Sequence, residues 1–203
     1  INGMVFDVDT ECDNVVFPDE DEDLHTIANH LPFEKIKQIT VHRGSTVQLL
    51  YRCNTLPKAI NICGNLGESV CQTKEEMASR LTIDSIAELC DREGVENINI
   101  FDDSKTYKSI DSIVYSYDGK RLLKCPRGKT GHVTIPKGTE IIAANAFKHC
   151  HIDSVSFPST LIQLENDAFA SSTVKKIDFG IGIKAIGWFS FMNCRELKSI
   201  VIP

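Results

Sequence analysis

A repeat of about 22 residues occupies the C-terminal part of this sequence and constrains its fold more than any other feature. Successive units begin at Val133, Val155, Ile177 and Ile200, at steps of 22, 22 and 23 residues. An Ala-Phe or Ser-Phe pair returns about a dozen residues into each complete unit, and a Cys or Ser follows three residues after the Phe. Units of this length bury their apolar side chains by stacking on their neighbours. The sequence therefore predicts a solenoid.

Each unit opens with the pattern apolar-x-x-apolar-x-apolar, as in Ile152, Val155 and Phe157. The last two apolar positions alternate with period two, which indicates a short strand with both side chains on its buried face. A Pro often follows and ends the strand because it lacks a backbone donor. We find the pattern, in full or in part, at Cys12/Val15/Phe17, Ile36/Ile39/Val41, Ile60/Ile62, Val95/Ile98/Ile100, Val133/Ile135, Ile152/Val155/Phe157, Val174/Ile177/Phe179 and Leu197/Ile200/Ile202.

These eight strands predict a β-rich solenoid of about eight turns, most of 21–24 residues, with two insertions where the steps lengthen to 38 and 35 residues. The predicted divisions within this one continuous solenoid are degenerate repeats at 1–65, a helical insertion at 66–94, a strand with a hairpin at 95–128, and regular repeats at 129–203.

The first insertion has helical signals. Thr73 and Glu76 have the spacing of a capping box, and apolar residues three and four apart, from Ile83 to Cys90, precede Gly94. The second insertion, Ser112 to Pro126, contains an Asp-Gly pair between apolar runs, which favours a tight hairpin turn.

The unit I-P-x-G-x-x-x-I-x-x-x-A-F-x-x-C, which stands here as Ile135-Pro136, Gly138, Ile142, Ala146-Phe147 and Cys150, closely resembles the BspA-type leucine-rich repeat. The segment from Tyr107 to Gly131 also resembles a hairpin that often precedes these repeats. The resemblance is close over about half of the chain, and Gly180 and Ser172 depart from the usual Pro and Cys. It implies the leucine-rich-repeat form of the predicted solenoid.

The resemblance also implies a secreted or cell-surface bacterial protein of an adhesive kind. We therefore expect a non-catalytic module that binds a host-matrix or cell-surface protein, without a cofactor or a metal. The family brings no catalytic residues, and its shared shape does not specify the ligand. Two alternatives remain: an enzyme such as a hydrolase with a site between Asn65 and Gly94, or a structural spacer for another domain.

The charge distribution argues against a nucleic-acid partner. The net charge is −6, and Ile1 to Asp23 holds nine carboxylates and no Lys or Arg, whereas phosphate binding requires clustered cations. No apolar run approaches the roughly 18 residues of a membrane span, so membrane insertion is not expected. The start at Ile1 is typical of a trimmed or mature fragment, and because no capping turn follows Pro203 we expect the parent protein to continue.

Three short motifs imitate functional sites. The alternating carboxylates from Asp7 to Asp13 lack the Gly and Glu of a calcium loop, so a solvated edge is the favoured interpretation. His149-Cys150-His151 is interpreted as a buried thiol between two surface imidazoles. Gly128-Lys129-Thr130 lacks the earlier Gly and the following helix of a phosphate-binding loop, and we reject that function.

The Phe and Cys of the repeat have predicted places inside the solenoid. Phe147, Phe169 and Phe191 should stack as a buried ladder. Cys150 and Cys194 lie two turns apart, roughly 10 Å at the usual strand spacing, and should be free buried thiols because a disulfide requires less than about 7 Å. The pairing of Cys12, Cys53, Cys63, Cys71, Cys90 and Cys125 is left open.

The predicted binding surface consists of the residues between the apolar positions of the strands, facing outward on one continuous sheet. At about 4.8 Å per strand, eight strands would span close to 40 Å, enough for a standard protein interface. A merely solvated face is the competing interpretation. The candidate residues are Asp153, Ser154, Ser156, Lys175, Lys176, Asp178, Lys198 and Ser199, with Lys37, Gln38, Thr40, Glu96, Asn97, Asn99 and Val201 on the same predicted face.

Overall fold

A computed structural model describes residues 12–16, 31, 35–41, 50, 53, 55–64, 82–102 and 106–202 of the chain. The described strands are β1 (Cys12–Val16), β2 (Ile36–Val41), β3 (Ala59–Gly64), β4 (Asn97–Asp102), β5 (Tyr107–Ile110), β6 (Ile113–Ser116), β7 (Arg121–Lys124), β8 (Thr130–Thr134), β9 (Ile141–Ile142), β10 (His151–Ser156), β11 (Gln163–Leu164), β12 (Lys176–Asp178), β13 (Ala185–Ile186) and β14 (Ser199–Val201). The helix α1 (Ile83–Cys90) lies between β3 and β4.

The strands form three sheets. Strands β1, β2, β3 and β4 make a parallel first sheet, and β8, β10, β12 and β14 make a parallel repeat sheet. Strands β5, β6 and β7 pair antiparallel, and β9, β11 and β13 continue from β7 in parallel, giving a six-stranded hairpin sheet. The predicted β-rich leucine-rich-repeat architecture is confirmed.

The predicted count of eight turns is slightly too high, since the solenoid has about six. All eight predicted strands are present. They form two separate four-stranded parallel sheets, because β4 does not pair with β8. The prediction of one continuous sheet is therefore wrong. The hairpin intervenes at this point, because after β4 the chain enters β5 and β6 before it returns to the solenoid. The predicted internal divisions at 65/66, 94/95 and 128/129 stay a prediction.

The hairpin is more than an insertion, because it takes the place of a turn at the start of the regular repeats. Leu122 of β7 pairs with Ile142 of β9 in the same parallel ladder that joins Ile142 to Leu164. The Cys125 N–H donates to the Ala146 carbonyl at 2.8 Å, as the amides of later turns do to the turn above. The Asp-Gly turn predicted at its tip is present, with Gly119 at a φ of 78°.

The described part of the helical insertion supports the sequence interpretation. Helix α1 has Thr82 as its N-cap, whose hydroxyl accepts a hydrogen bond from the Ser85 N–H at 3.1 Å. Ile86, Leu89 and Cys90 are buried on its inner face. The capping box proposed at Thr73 lies outside the described residues.

Two apolar clusters fill the interior. One joins the first sheet to α1, the other fills the space between the repeat sheet and the hairpin sheet, and Leu123 packs against both. The side chain of Lys124 crosses the same junction: its buried ammonium pairs with the Asp91 carboxylate at 2.7 Å and donates to the Asn145 carbonyl at 3.1 Å. A buried cation is tolerated only when its donors are satisfied in this way.

The predicted phenylalanine ladder is confirmed. The rings of Phe147 and Phe169 stack with centroids 4.6 Å apart, and those of Phe169 and Phe191 stack at 5.6 Å. Phe147 and Phe169 are fully buried, whereas Phe191, at the last described turn, is half-buried.

Replacing Phe169 by Ala should lower the free energy of unfolding by about 3–5 kcal/mol, because the change leaves a cavity between two stacked rings. Phe101 on β4 is 60% exposed, so Phe101→Ala serves as the control and should change stability by no more than about 0.5 kcal/mol. Chemical denaturation of both variants measures the difference. Equal midpoints for the two variants would show that the register of the ladder is wrong.

Candidate functional site

The outward side of the repeat sheet carries the candidate site, because its register aligns the predicted residues in rows across four strands. His132, Ser154, Lys176 and Ser199 occupy equivalent positions on β8, β10, β12 and β14. Val155 and Ile177, between the rows, point inward and are buried. The alternation of the strand thus separates a buried face from an exposed one.

A second row lies two residues further along each strand. It consists of Thr134, Ser156, Asp178 and Val201. We call the two rows together, with the preceding Asp153, Lys175 and Lys198, the repeat face. Of the eight candidate residues, all are exposed except Ser154, which is half-buried.

The repeat face contains two local contacts that the sequence pattern did not reveal. The His132 ring lies against two hydroxyls of the neighbouring strand, with Nδ1 2.7 Å from the Ser154 Oγ and Nε2 3.1 Å from the Ser156 Oγ. The Lys175 ammonium pairs with the Asp153 carboxylate at 2.5 Å. Both contacts join residues about one repeat apart, so they depend on the stacking of turns.

The partners of the other cations decide which charges are available to a ligand. The ammonium groups of Lys176 and Lys198 are exposed and form no salt bridge with any residue that the structure describes. Pairing with Asp153 raises the pKa of Lys175, through the side-chain hydrogen bond first and charge attraction second. Lys176 and Lys198 are thus the cations that a partner meets without first displacing an internal carboxylate.

The upstream candidates do not extend this face. They belong to the first sheet, where an asparagine ladder replaces a free polar surface: the Asn61 amide donates to Thr40 Oγ1 at 3.2 Å, and the Asn99 amide donates to Asn61 Oδ1 at 3.0 Å. Ser112 Oγ donates in turn to Asn99 Oδ1 at 3.2 Å. The predicted 40 Å surface is therefore wrong in extent. Four strands span only about 15 Å.

The three motifs discounted from the sequence also have structural explanations where they are described. Cys150 is fully buried between the exposed His149 and His151. Gly128 lies so close to Val95 that a Cβ would stand 2.7 Å from the Val95 carbonyl oxygen, and Lys129 reaches the Asp111 carbonyl at 2.8 Å. The carboxylates before residue 12 lie outside the described part of the chain, as do residues 65–81 of the alternative enzyme site.

The described thiols are mostly shielded from solvent. Cys53 is buried, and Cys63, Cys90, Cys125, Cys150 and Cys194 form no disulfide. Cys150 is buried as predicted, whereas Cys194 is only half-buried because it belongs to the last described turn. Cys150 and Cys194 have the same structural role, because each thiol donates to a backbone carbonyl one turn earlier. The Cys150 thiol donates to the Cys125 carbonyl at 3.5 Å, and the Cys194 thiol donates to the Phe169 carbonyl at 3.0 Å.

Burial raises the pKa of Cys90 and of Cys125, which is the opposite of what a nucleophilic thiol requires. No three His, Cys, Asp or Glu side chains among the described residues are grouped to hold a metal ion. Nor does the described part of the chain contain a helix that is long and apolar enough to cross a bilayer.

The 22-residue register, the short parallel strands and the Phe ladder define a leucine-rich-repeat solenoid. Residues 127–203 match the BspA type leucine rich repeat region in six copies. The match covers 77 of the 203 residues, all in the C-terminal part of the chain. A comparison with curated proteins finds no match.

A comparison with solved structures finds the same fold in a leucine-rich repeat protein. A leucine-rich repeat protein from Eubacterium ventriosum is 16% identical with a TM-score of 0.53, and the match covers 92% of this chain and 64% of that protein, less than two thirds of its length. The pneumococcal vaccine antigen PcpA (13% identity, TM-score 0.46, 81% of this chain and 42% of PcpA) is more distant. So is a leucine rich cell surface protein from Faecalibacterium prausnitzii (14% identity, TM-score 0.43, 92% and 46%). The last two likenesses are too weak to carry an argument.

Alkylation of the native protein with iodoacetamide at pH 8 should modify the half-buried Cys63 and Cys194 well before Cys90, Cys125 and Cys150. The buried thiols lack solvent access, and at Cys90 and Cys125 the raised pKa also suppresses the thiolate. Peptide mass spectrometry after timed quenching measures each site, with urea-denatured protein as the control. Fast modification of Cys90 or Cys125 in the native protein would contradict this packing and favour a reactive cysteine.

Proposed function

We propose that this chain is a non-catalytic protein-binding module of a secreted or cell-surface bacterial protein, and that it binds a host-matrix or cell-surface protein through the repeat face. The observation that carries the proposal is the two outward rows of polar and charged side chains that the register aligns across β8, β10, β12 and β14. Such a row offers alternating donors, acceptors and charges for recognition on a scaffold that does not need to rearrange.

The size of the repeat face limits the kind of contact. It measures about 15 Å across four strands and roughly 10–20 Å along them, so its area is on the order of 300 Å² at most, less than the roughly 800 Å² that each partner contributes to a standard interface. Aromatic anchors of the kind that dominate tight interfaces are missing from its rows. We therefore propose a weak contact, which becomes useful for adhesion when many copies act together on one surface.

The alternative of an enzyme receives less support. Burial raises the pKa of the Cys90 and Cys125 thiols, and the turns of the leucine-rich-repeat region enclose a packed apolar interior. The spacer alternative differs from our proposal in one testable respect: if the chain is a spacer, changes to the repeat face leave the binding of a partner unchanged.

The double change Lys176→Glu and Lys198→Glu should weaken binding to immobilised matrix proteins at least tenfold, since it reverses the two cations of the repeat face that form no salt bridge with a described residue. The melting temperature should stay nearly unchanged because both side chains are exposed. Surface plasmon resonance against a panel of purified matrix proteins, with many copies of the module displayed on beads for avidity, measures the effect.

The matched control is Lys137→Glu with Lys184→Glu, which makes the same charge change at exposed positions outside the repeat face. It should leave binding unchanged. If both double variants lose affinity equally, the attraction comes from overall charge; if neither does, the repeat face is not the site.

A further inference from the structure

Exposed apolar residues near the C-terminal end of the described structure fall into two groups. Ile186 and Ile200 occupy positions that are buried in the preceding turn, at Leu164 and Ile177, so their exposure reflects their place at the end of the described stack. Trp188 belongs to the other group. Its side chain is 76% exposed although nothing in the repeat requires an apolar residue there.

The exposure of Trp188 is a property of its position in the repeat. The register of β11 with β9 and β13 places Asn166 and Ala144 at the equivalent places one and two turns earlier. Both are exposed even though a further turn is stacked on each of them. A turn stacked on the last one would therefore leave the Trp188 position facing outward, as it does at Asn166.

The next residue reinforces the departure from the pattern. Phe189 has a φ of 58°, the left-handed conformation that Asp167 and Asn145 adopt at the same place with φ of 57° and 59°. Asn and Asp tolerate this conformation, but for an aromatic residue it is a genuine outlier. Phe189 is nonetheless 62% exposed beside Trp188, with ring centroids 6.5 Å apart. Two adjacent outward positions thus both carry aromatic rings, one of them at a conformational cost.

A shallow groove of about 340 Å³ adjoins the indole. Gln163, Glu165, Asn166, Ile186 and Trp188 line it, together with Gly187. Only a glycine fits at 187, because a Cβ there would stand 2.5 Å from the Asn166 nitrogen. The close approach lets Asn166 Oδ1 accept the Trp188 N–H at 2.9 Å, which fixes the tryptophan backbone against the preceding turn.

The polar groups that line the groove include hydrogen-bond donors and acceptors, and no Lys, Arg or His is among the described lining residues. Asn166 uses its carbonyl oxygen on Trp188 and keeps its amide NH₂ for a ligand, and Gln163 brings a second amide. Glu165 Oε2 accepts from Arg121 at 2.5 Å and from the Ala144 N–H at 3.0 Å, while its other oxygen has no partner among the described residues. Burial by itself would raise the pKa of Glu165, but these two hydrogen bonds outweigh it and lower the pKa, so the acceptor stays ionised.

This combination fits a sugar ring better than a peptide side chain. The face of an indole is apolar and carries negative charge density, and it complements the C–H face of a pyranose. The ring hydroxyls at the edge both donate and accept, as planar amides and a carboxylate require. The volume lies at the lower end of the range for small-molecule sites, which limits the contact to one or two sugar units.

We propose that the groove beside Trp188, between β11 and β13, is a binding site for a neutral glycan. It is separate from the repeat face, so it holds or fails independently of the protein-binding proposal.

The first test is a glycan array probed with the wild-type chain and with Trp188→Ala. Ile181→Ala is the matched control, because Ile181 is 86% exposed at an outward position away from the groove. Wild type and Ile181→Ala should bind the same neutral glycans, and Trp188→Ala should lose at least nine-tenths of the signal with an unchanged melting temperature. No glycan bound above the level of Trp188→Ala, or an equal loss in Ile181→Ala, would overturn the proposal.

Trp188 is the single tryptophan of the chain, so its fluorescence reports directly on the groove. Titration with the soluble form of the best array glycan should shift its emission to shorter wavelength and saturate. A saturating signal on the array without any emission change would place the glycan elsewhere and overturn the proposal. A Trp188-dependent contact with a protein that persists after enzymatic deglycosylation would also overturn it, in favour of a protein-docking surface.

Discussion

The contact between successive turns is the interaction on which the rest of this structure depends. At the Phe position the backbone N–H donates a hydrogen bond to the next turn. The Phe147 N–H donates to the Ala168 carbonyl at 2.7 Å, and the Phe169 N–H donates to the Ser190 carbonyl at 2.8 Å. The stacked rings fill the interior beside these bonds. Neither turn could bury its ring or satisfy these amides alone, which is why the fold is a stack and why its surface features recur at the repeat spacing.

The corners of each turn explain residue choices that apolar patterns leave unexplained. Two residues per turn adopt the left-handed conformation without being glycine, at Asn145 and His149, at Asp167 and Ser171, and at Phe189 and Asn193. Asn and Asp are the non-glycine residues that adopt this conformation most readily. These corners redirect the chain between the repeat sheet and the hairpin sheet. Trp188 and Phe189, just before and at the first corner of their turn, are both exposed.

The sequence predicted what is local and repeated. The strands, the Phe ladder, the hairpin turn at Gly119 and the buried thiol at Cys150 follow from alternation, turn chemistry and register within one or two repeats. The break between β4 and β8 could not be predicted in the same way, because it depends on where β5 and β6 pack. The apolar residues of β5 and β6 do not show in the sequence which sheet these strands join. Nor could the spacing alone show that β7, through Leu122, takes the place of a repeat strand beside β9.

The candidate site was predictable in part for the same reason. Outward positions follow from strand alternation, so the residues of the repeat face on β10, β12 and β14 could be predicted. His132 and Thr134 on β8, and the contacts between side chains, were not predicted. The pairing of Lys175 with Asp153 and the contacts of His132 with two serines depend on side-chain reach across turns. The exposed Trp188 had a signal in the sequence, since it is the single tryptophan of the chain and the preceding turns carry Asn166 and Ala144 at its position.

Native-state amide hydrogen exchange tests the central role of the turn-to-turn contact most directly. We expect the amides of Phe147, Phe169 and Ser171, which donate to the next turn, to exchange only with the cooperative opening of the repeat stack. Their opening free energies should equal those of strand amides such as Val155 and Ile177. Exchange of the Phe amides at much lower free energy than the strand amides would contradict the account, because it would show that the strands hold together without the ladder.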